Sequence, residues 1–183
     1  MERAADLFSE RGIAGTSLDE VLAAAGAGKS QLYHYFHGRD ELVEAAVAHR
    51  CAQVLAGLTQ ALGTVTSLAE LEQALAGFVA GFEQMGLPGC PIGSLAAEVA
   101  ERNEGARLRA AAAFDAWEQL FADALERMRE RGELRMDASP AVLATALLAG
   151  IEGGMALSQA RKDPASLRIA AEAGLAQLRT YLS

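Results

Sequence analysis

Cysteine, proline, aromatic rings and positive charge are all scarce in this chain. The two cysteines, Cys51 and Cys90, have no metal-ligand or redox spacing, which excludes a disulfide framework and a cysteine-built metal site. They read as buried thiols in a reducing cytoplasm; a redox switch is the sharper alternative, and no neighbouring residue supports it. The histidines, His34, His37 and His49, also lack ligand spacing. No serine or cysteine stands beside a plausible base, and the glycine-rich pieces follow no strand, so neither a nucleophilic site nor a phosphate loop can be built. The chain is therefore expected to be no enzyme and to use no metal or cofactor. A net charge of −8 argues against a general polyanion binder. A charged, amphipathic start argues against a signal peptide. The most apolar run, residues 138 to 156, contains Pro140, Glu152 and several glycines, and reads as a buried helix rather than a membrane span.

What the chain does have is apolar mass. Hydrophobic residues fill 51% of its 183 positions, enough for the core of one compact unit or of two small ones sharing a core. Alanine and leucine dominate and β-branched residues are few, which favours helix throughout. The most informative stretch is SLDEVLAAAGAGKSQLYHYFHGR, from Ser17 to Arg39. Ser17 followed by Glu20 forms a capping-box pattern. Leu18, Val21, Leu22 and Ala25 give the first helix one apolar face. Gly26 stops that helix because glycine enters the left-handed backbone cheaply. A second helix follows from about Lys29 to Phe36, with Leu32 and Phe36 inward four residues apart. Its remaining faces carry Lys29, Ser30, Gln31, Tyr33, His34 and Tyr35. Two helices joined by a glycine turn, the second with an exposed polar face, make the helix-turn-helix plan, whose second helix enters the major groove.

Within that stretch, AAGAGKSQLYHYFHGRDEL, residues 24 to 42, resembles the DNA-binding signature of the TetR family of transcriptional regulators. The glycine, the lysine, the Leu-Tyr-x-Tyr-Phe run and the Asp-Glu-Leu are all in register. The chain departs from the usual pattern at Ala27, Gly28 and Gln31, which bears on the bases read. A second stretch, GCPIGSLAAEVA, residues 89 to 100, resembles a motif of the LmrA/YxaF-like subgroup. The resemblance implies an all-α, TetR-like fold: an N-terminal three-helix DNA-binding domain followed by a helical ligand-binding and dimerisation domain. It also implies a homodimeric bacterial repressor working in the cytoplasm, away from membranes, with a near-palindromic double-stranded operator and a small-molecule inducer as partners. The expected domains are 1–38 for DNA binding, 39–62 for a connecting helix that transmits ligand binding, and 63–183 for the C-terminal part. The start is short for the family, which usually carries a basic arm before its first helix.

Local charge needs separate attention. Residues 1 to 50 carry five basic and eight acidic side chains, a net of −3. From Val21 to Arg39, however, there is no acid. A basic window of that size can dock on phosphate with modest, salt-sensitive affinity.

Along the rest of the chain, Met1 to Arg11 reads as a helix packing Ala4, Ala5, Leu7 and Phe8 on the motif. Asp40 is expected to cap a helix reaching about Leu62. Ser67 with Glu70 begins another, one-faced through Leu71, Leu75, Phe78, Phe82 and Met85. The loop GLPGCPIG, residues 86 to 93, ends it. A long helix is expected from Gly105 to Arg131. Ser139 with Pro140, and Asp163 with Pro164, open the last two, since proline's missing amide costs nothing at a helix start.

Three sites emerge. For DNA, the resemblance places Thr16, Ser17, Lys29, Tyr33, Tyr35 and Arg39 at phosphate-contacting or docking positions, and a helix N-terminus at Thr16–Ser17 attracts an anion by itself. Ser30, Gln31 and His34 are the candidates for base edges, with Gln31 able to make a bidentate contact to adenine. The competing reading makes Tyr33 and Tyr35 packing residues on a solvated face. For ligand, Phe78, Phe82 and Met85 on one helix and Phe114, Trp117 and Phe121 on another would line a cavity for a flat or greasy molecule. The alternative is that they are core. Glu152 could meet a cation or a hydrogen-bond donor, or be structural. For the dimer, Leu143, Leu147, Gly150 and Gly154, with Leu167, Ala171 and Leu178, mark the last two helices, which the family pairs as a four-helix bundle. Gly150, Gly153 and Gly154 would permit close approach, either to a mate or within the chain. The competing function is a helical small-molecule-binding protein with weak or lost DNA binding.

Overall fold

A computed structural model describes residues 2–183; Met1, expected in the first helix, lies outside them. Among the described residues there are nine helices and no strand: α1 (Glu2–Arg11), α2 (Leu18–Ala25), α3 (Lys29–Tyr35), α4 (Arg39–Leu62), α5 (Leu68–Gln84), α6 (Pro91–Val99), α7 (Glu104–Glu130), α8 (Pro140–Arg161) and α9 (Ala165–Arg179). The described residues form two compact units, 2–55 with 91–114, and 56–90 with 115–183. The division falls inside α4 and inside α7. The helix-turn-helix unit thus takes in α6 and the first part of α7.

Sequence-local signals account for most boundaries. Ser17 Oγ accepts from Glu20 N–H at 3.2 Å, and the Glu20 carboxylate accepts from Ser17 N–H at 2.8 Å, so the capping box is complete. Gly26 ends α2 at φ 62°, and the following amide closes back on the Leu22 carbonyl. Four local details differ. α4 starts at Arg39, putting Asp40 inside its first turn rather than at the cap. α6, a helix not expected from the sequence, starts at Pro91, so only the first part of the 86–93 loop is irregular. Ser139 flanks α8 without using its hydroxyl as a cap. α9 starts at Ala165, which puts Pro164 at the cap rather than at the first helical position, and Asp163, one residue further out, accepts from Ala165 N–H at 3.0 Å.

In the first unit the core is Ala4, Ala5, Phe8, Val21, Leu22, Leu32, Leu42 and Val43. Leu7 is only half-buried, and Phe36 sits just past α3, also half-buried. Polar ties complete it. Glu98 of α6 accepts the Ile13 N–H at 2.6 Å, and Asn103 donates to the Asp40 carbonyl at 2.9 Å. Arg109 pairs with Glu44 at 3.0 Å. In the second unit the largest fully buried side chains include Trp117, Phe121, Leu125, Met128, Ile151 and Leu167. Arg127 there donates to the Leu62 and Val65 carbonyls, which ties α7 to the end of α4 and the turn after it.

Candidate nucleic-acid interface and ligand site

α3 is seven residues long and buries only Leu32. Ser30, Gln31, His34, Tyr33 and Tyr35 are exposed around an open concave surface that begins at Gly28. Tyr33 and Tyr35 keep 59% and 66% of their surface in solvent, so neither packs into the core. His34 meets Tyr35 edge-on, with ring centroids 4.9 Å apart. The structure therefore brings together Ser30, Gln31, Tyr33, His34 and Tyr35 on one accessible face.

Other candidates from the sequence are already engaged. Thr16 is 2% exposed and its hydroxyl donates to the Gly12 carbonyl at 2.8 Å, closing the turn before α2. The Arg39 guanidinium donates to the Ile13 and Thr16 carbonyls, which makes it a tie between the start of α4 and the loop before α2. Ser17 remains exposed, but its hydroxyl and amide serve the capping box. Those same bonds hold the Glu20 carboxyl below the usual carboxylate range, first through the Ser17 amide and then its hydroxyl. The cap is therefore present above that range and is lost as pH falls through it.

Lys29 lies 3.0 Å from Asp19, both exposed. This acid sits on α2, outside the acid-free window, where linear spacing conceals it. Asp19→Asn should free the ammonium for phosphate and raise DNA affinity about three- to fivefold. It should also steepen the salt slope by about one. Anisotropy titrations at two salt concentrations check both.

The second unit brings three of the expected ligand residues together. Phe78 and Trp117 have ring centroids 6.0 Å apart, and Trp117 and Phe121 6.4 Å. They border a gap of about 20 Å³ closed by Leu58, Leu62 and Ile151. Drug-sized pockets run to several hundred Å³, about 300 and upward, so this is packed core with a small defect rather than a formed cavity. Phe82 is buried but is not among the residues around the gap. Met85 is 70% exposed past the end of α5 and is not around the gap either. Phe114 belongs to the first unit. Glu152 is half-buried; burial pushes its carboxyl up, a hydrogen bond with Cys90 partly opposes this, and one carboxylate oxygen has no partner. Cys51 and Cys90 are buried without a disulfide, and burial pushes the Cys51 thiol up, which makes it unreactive.

The expected dimer residues face inward. Leu143, Leu147, Gly154, Leu167, Ala171 and Leu178 are all buried within the second unit. A Cβ on Gly154 would stand 2.9 Å from Leu167 Cα, so this glycine serves the approach of α8 to α9 in one chain. Gly150 is only half-exposed. The opposite side of α8 presents Val142, Ala146, Ala149, Gly153 and Leu157 to solvent. That stripe was readable at three-four spacing, but every side of α8 is apolar and the pattern could not say which side was free. By length and composition α8 could cross a membrane. Its buried side is instead occupied by packing within the unit.

A capped helix, a glycine turn and a second helix with one anchor and an exposed polar face define a DNA-binding module joined to an all-helical partner unit. Residues 1–46 match the family model described as bacterial regulatory proteins, tetR family. Residues 67–173 match that of the tetracyclin repressor-like C-terminal domain. The chain belongs to the TetR family: it is a helix-turn-helix transcriptional regulator and not an enzyme. It is 31% identical to the HTH-type transcriptional regulator YxaF of Bacillus subtilis, over 94% of this chain and 89% of that one. With LmrA of the same organism, an HTH-type transcriptional regulator, identity is 29% over 91% and 88%. The crystal structure of a TetR transcriptional regulator from Chloroflexus aurantiacus superposes with a TM-score of 0.82 at 26% identity, covering 98% of this chain and 92% of that one.

Proposed function

We propose that this regulator is a cytoplasmic, homodimeric repressor that leaves a near-palindromic operator when a small aromatic or drug-like molecule binds its C-terminal helices. The exposed face of α3 carries the reading. Its Ser30, Gln31 and His34 have no structural duty among the hydrogen bonds of the unit and are free for base edges, with Tyr33 and Tyr35 beside them for the backbone. One seven-residue helix offers little contact, so two copies about one DNA turn apart, roughly 34 Å, are required. The second copy covers the outward stripe of α8, since a helix apolar on every side needs a partner on every side. Val142 and Leu157 on that stripe, 66% and 46% exposed, are large apolar groups otherwise left in water.

Release follows if ligand favours a state with a different separation of the two motifs. Residues 39–55 of α4 belong to the DNA-binding unit, which makes α4 the element to displace. Within that unit, the Glu98 bond to the Ile13 amide ties α6 to the loop before α2, a second point at which strain would reach the motif.

The test is fluorescence anisotropy with DNA from the region upstream of the gene, at two salt concentrations, with and without a panel of aromatic compounds. Selective, salt-dependent binding relieved by a compound is expected. Compound binding with no selective DNA binding would replace the repressor by a small-molecule-binding protein.

A further inference from the structure

We propose that the aromatic gap of the second unit admits a neutral, flat ring bearing a hydrogen-bond acceptor, and that the Trp117 indole N–H is its anchor. This rests on the reading that the C-terminal helices bind the inducer, and it specifies the chemistry of that inducer.

Trp117 is 2% exposed, and its indole nitrogen is buried with no hydrogen-bond partner. Indole N–H is a donor only, so its complement is an acceptor. Every other side chain around the gap is alanine, leucine, isoleucine or phenylalanine. No side chain there can neutralise an ion, and burying an unpaired charge is prohibitive, so the ligand is neutral. The gap of about 20 Å³ has room for one water. A buried water needs about two to four polar partners, and the side chains around the gap carry a single polar atom, the indole nitrogen. A carbonyl on a ring needs only that one, because the rest of the molecule is matched by carbon. Phe78 and Phe121 flank the indole, and a flat ring can stack among them. Phe121 is fully buried, whereas Phe78 is half-exposed and is the ring that can swing aside to enlarge the space.

The matched probes are 1-indanone and indane, bicyclic rings of nearly the same shape that differ by a carbonyl oxygen. Their affinities are measured by ligand-detected NMR for the full chain, for Trp117→Phe, for Phe78→Ala and for the double variant. Phe78→Ala supplies the space that displacement of the ring would create. The indanone-to-indane affinity ratio should fall about five- to tenfold when Trp117 becomes Phe, in either background. In the unaltered protein the indole N–H proton should shift downfield with indanone and not with indane, a readout independent of any variant. Both probes binding with a ratio unchanged by Trp117→Phe would overturn the anchor and leave the inducer site standing. Neither probe binding, even to Phe78→Ala, would overturn both.

Discussion

Gly153→Glu is expected to leave the protomer folded and to abolish tight operator binding. Gly153 lies on the exposed side of α8, and a Cβ there meets no atom within 4 Å. Replacing a mid-helix glycine gains helix propensity, roughly 0.5–1 kcal/mol, so the protomer should melt no lower. In the proposed dimer the same position lies against its symmetry mate. Two carboxylates would then be brought together in an apolar contact, and each would be left without a partner. Sedimentation should show a monomer. Losing the linkage of two half-sites should weaken operator binding by at least about 100-fold. A stable dimer with unchanged DNA affinity would place the interface elsewhere.

Gly154→Val, one residue on, should do the reverse. Its Cβ would stand 2.9 Å from both Leu167 Cα and Ala170 Cβ, and the first of these is backbone. The contact cannot be relieved by turning a side chain; α8 and α9 must separate. Overpacking of this kind costs about 3 kcal/mol at the upper end of the usual range. For a chain of this size that lowers the melting temperature by roughly 10 °C. Thermal denaturation followed by circular dichroism measures it. An unchanged melting temperature would mean that α9 moves freely against α8. Adjacent glycines on one helix are thus expected to separate assembly from folding.

The DNA-binding motif was legible because its signals are short-ranged. Ser17 and Glu20 are three residues apart, and Gly26 ends α2 whatever surrounds it. Gln31 and His34 were legible as surface because Leu32 is the apolar anchor of a short helix. The bonds that hold Arg39 and Thr16 were not legible because their partners are backbone carbonyls. Those of Arg39 lie 26 and 23 residues away, and no residue pattern marks a carbonyl as an acceptor. Asp19 escaped notice as a partner of Lys29 because the turn at Gly26 folds α2 beside α3. Met85 follows the apolar spacing of α5, yet it falls just past the helix end, where the side it continues is no longer covered.

Family, fold class and the order of the helices other than α6 were determined by the sequence alone, through caps, glycine stops and a motif in register. Each of those depends on residues within about one helical turn of each other. The inward and outward sides of α8 were decided only by tertiary structure. So were the packing of Phe78, Trp117 and Phe121 around a gap of about 20 Å³ and the orphaned indole nitrogen. The physical reason is that a helix apolar on every side has no periodicity to read. Its facing is set by the neighbour that packs on it most closely, and for α8 that neighbour is α9.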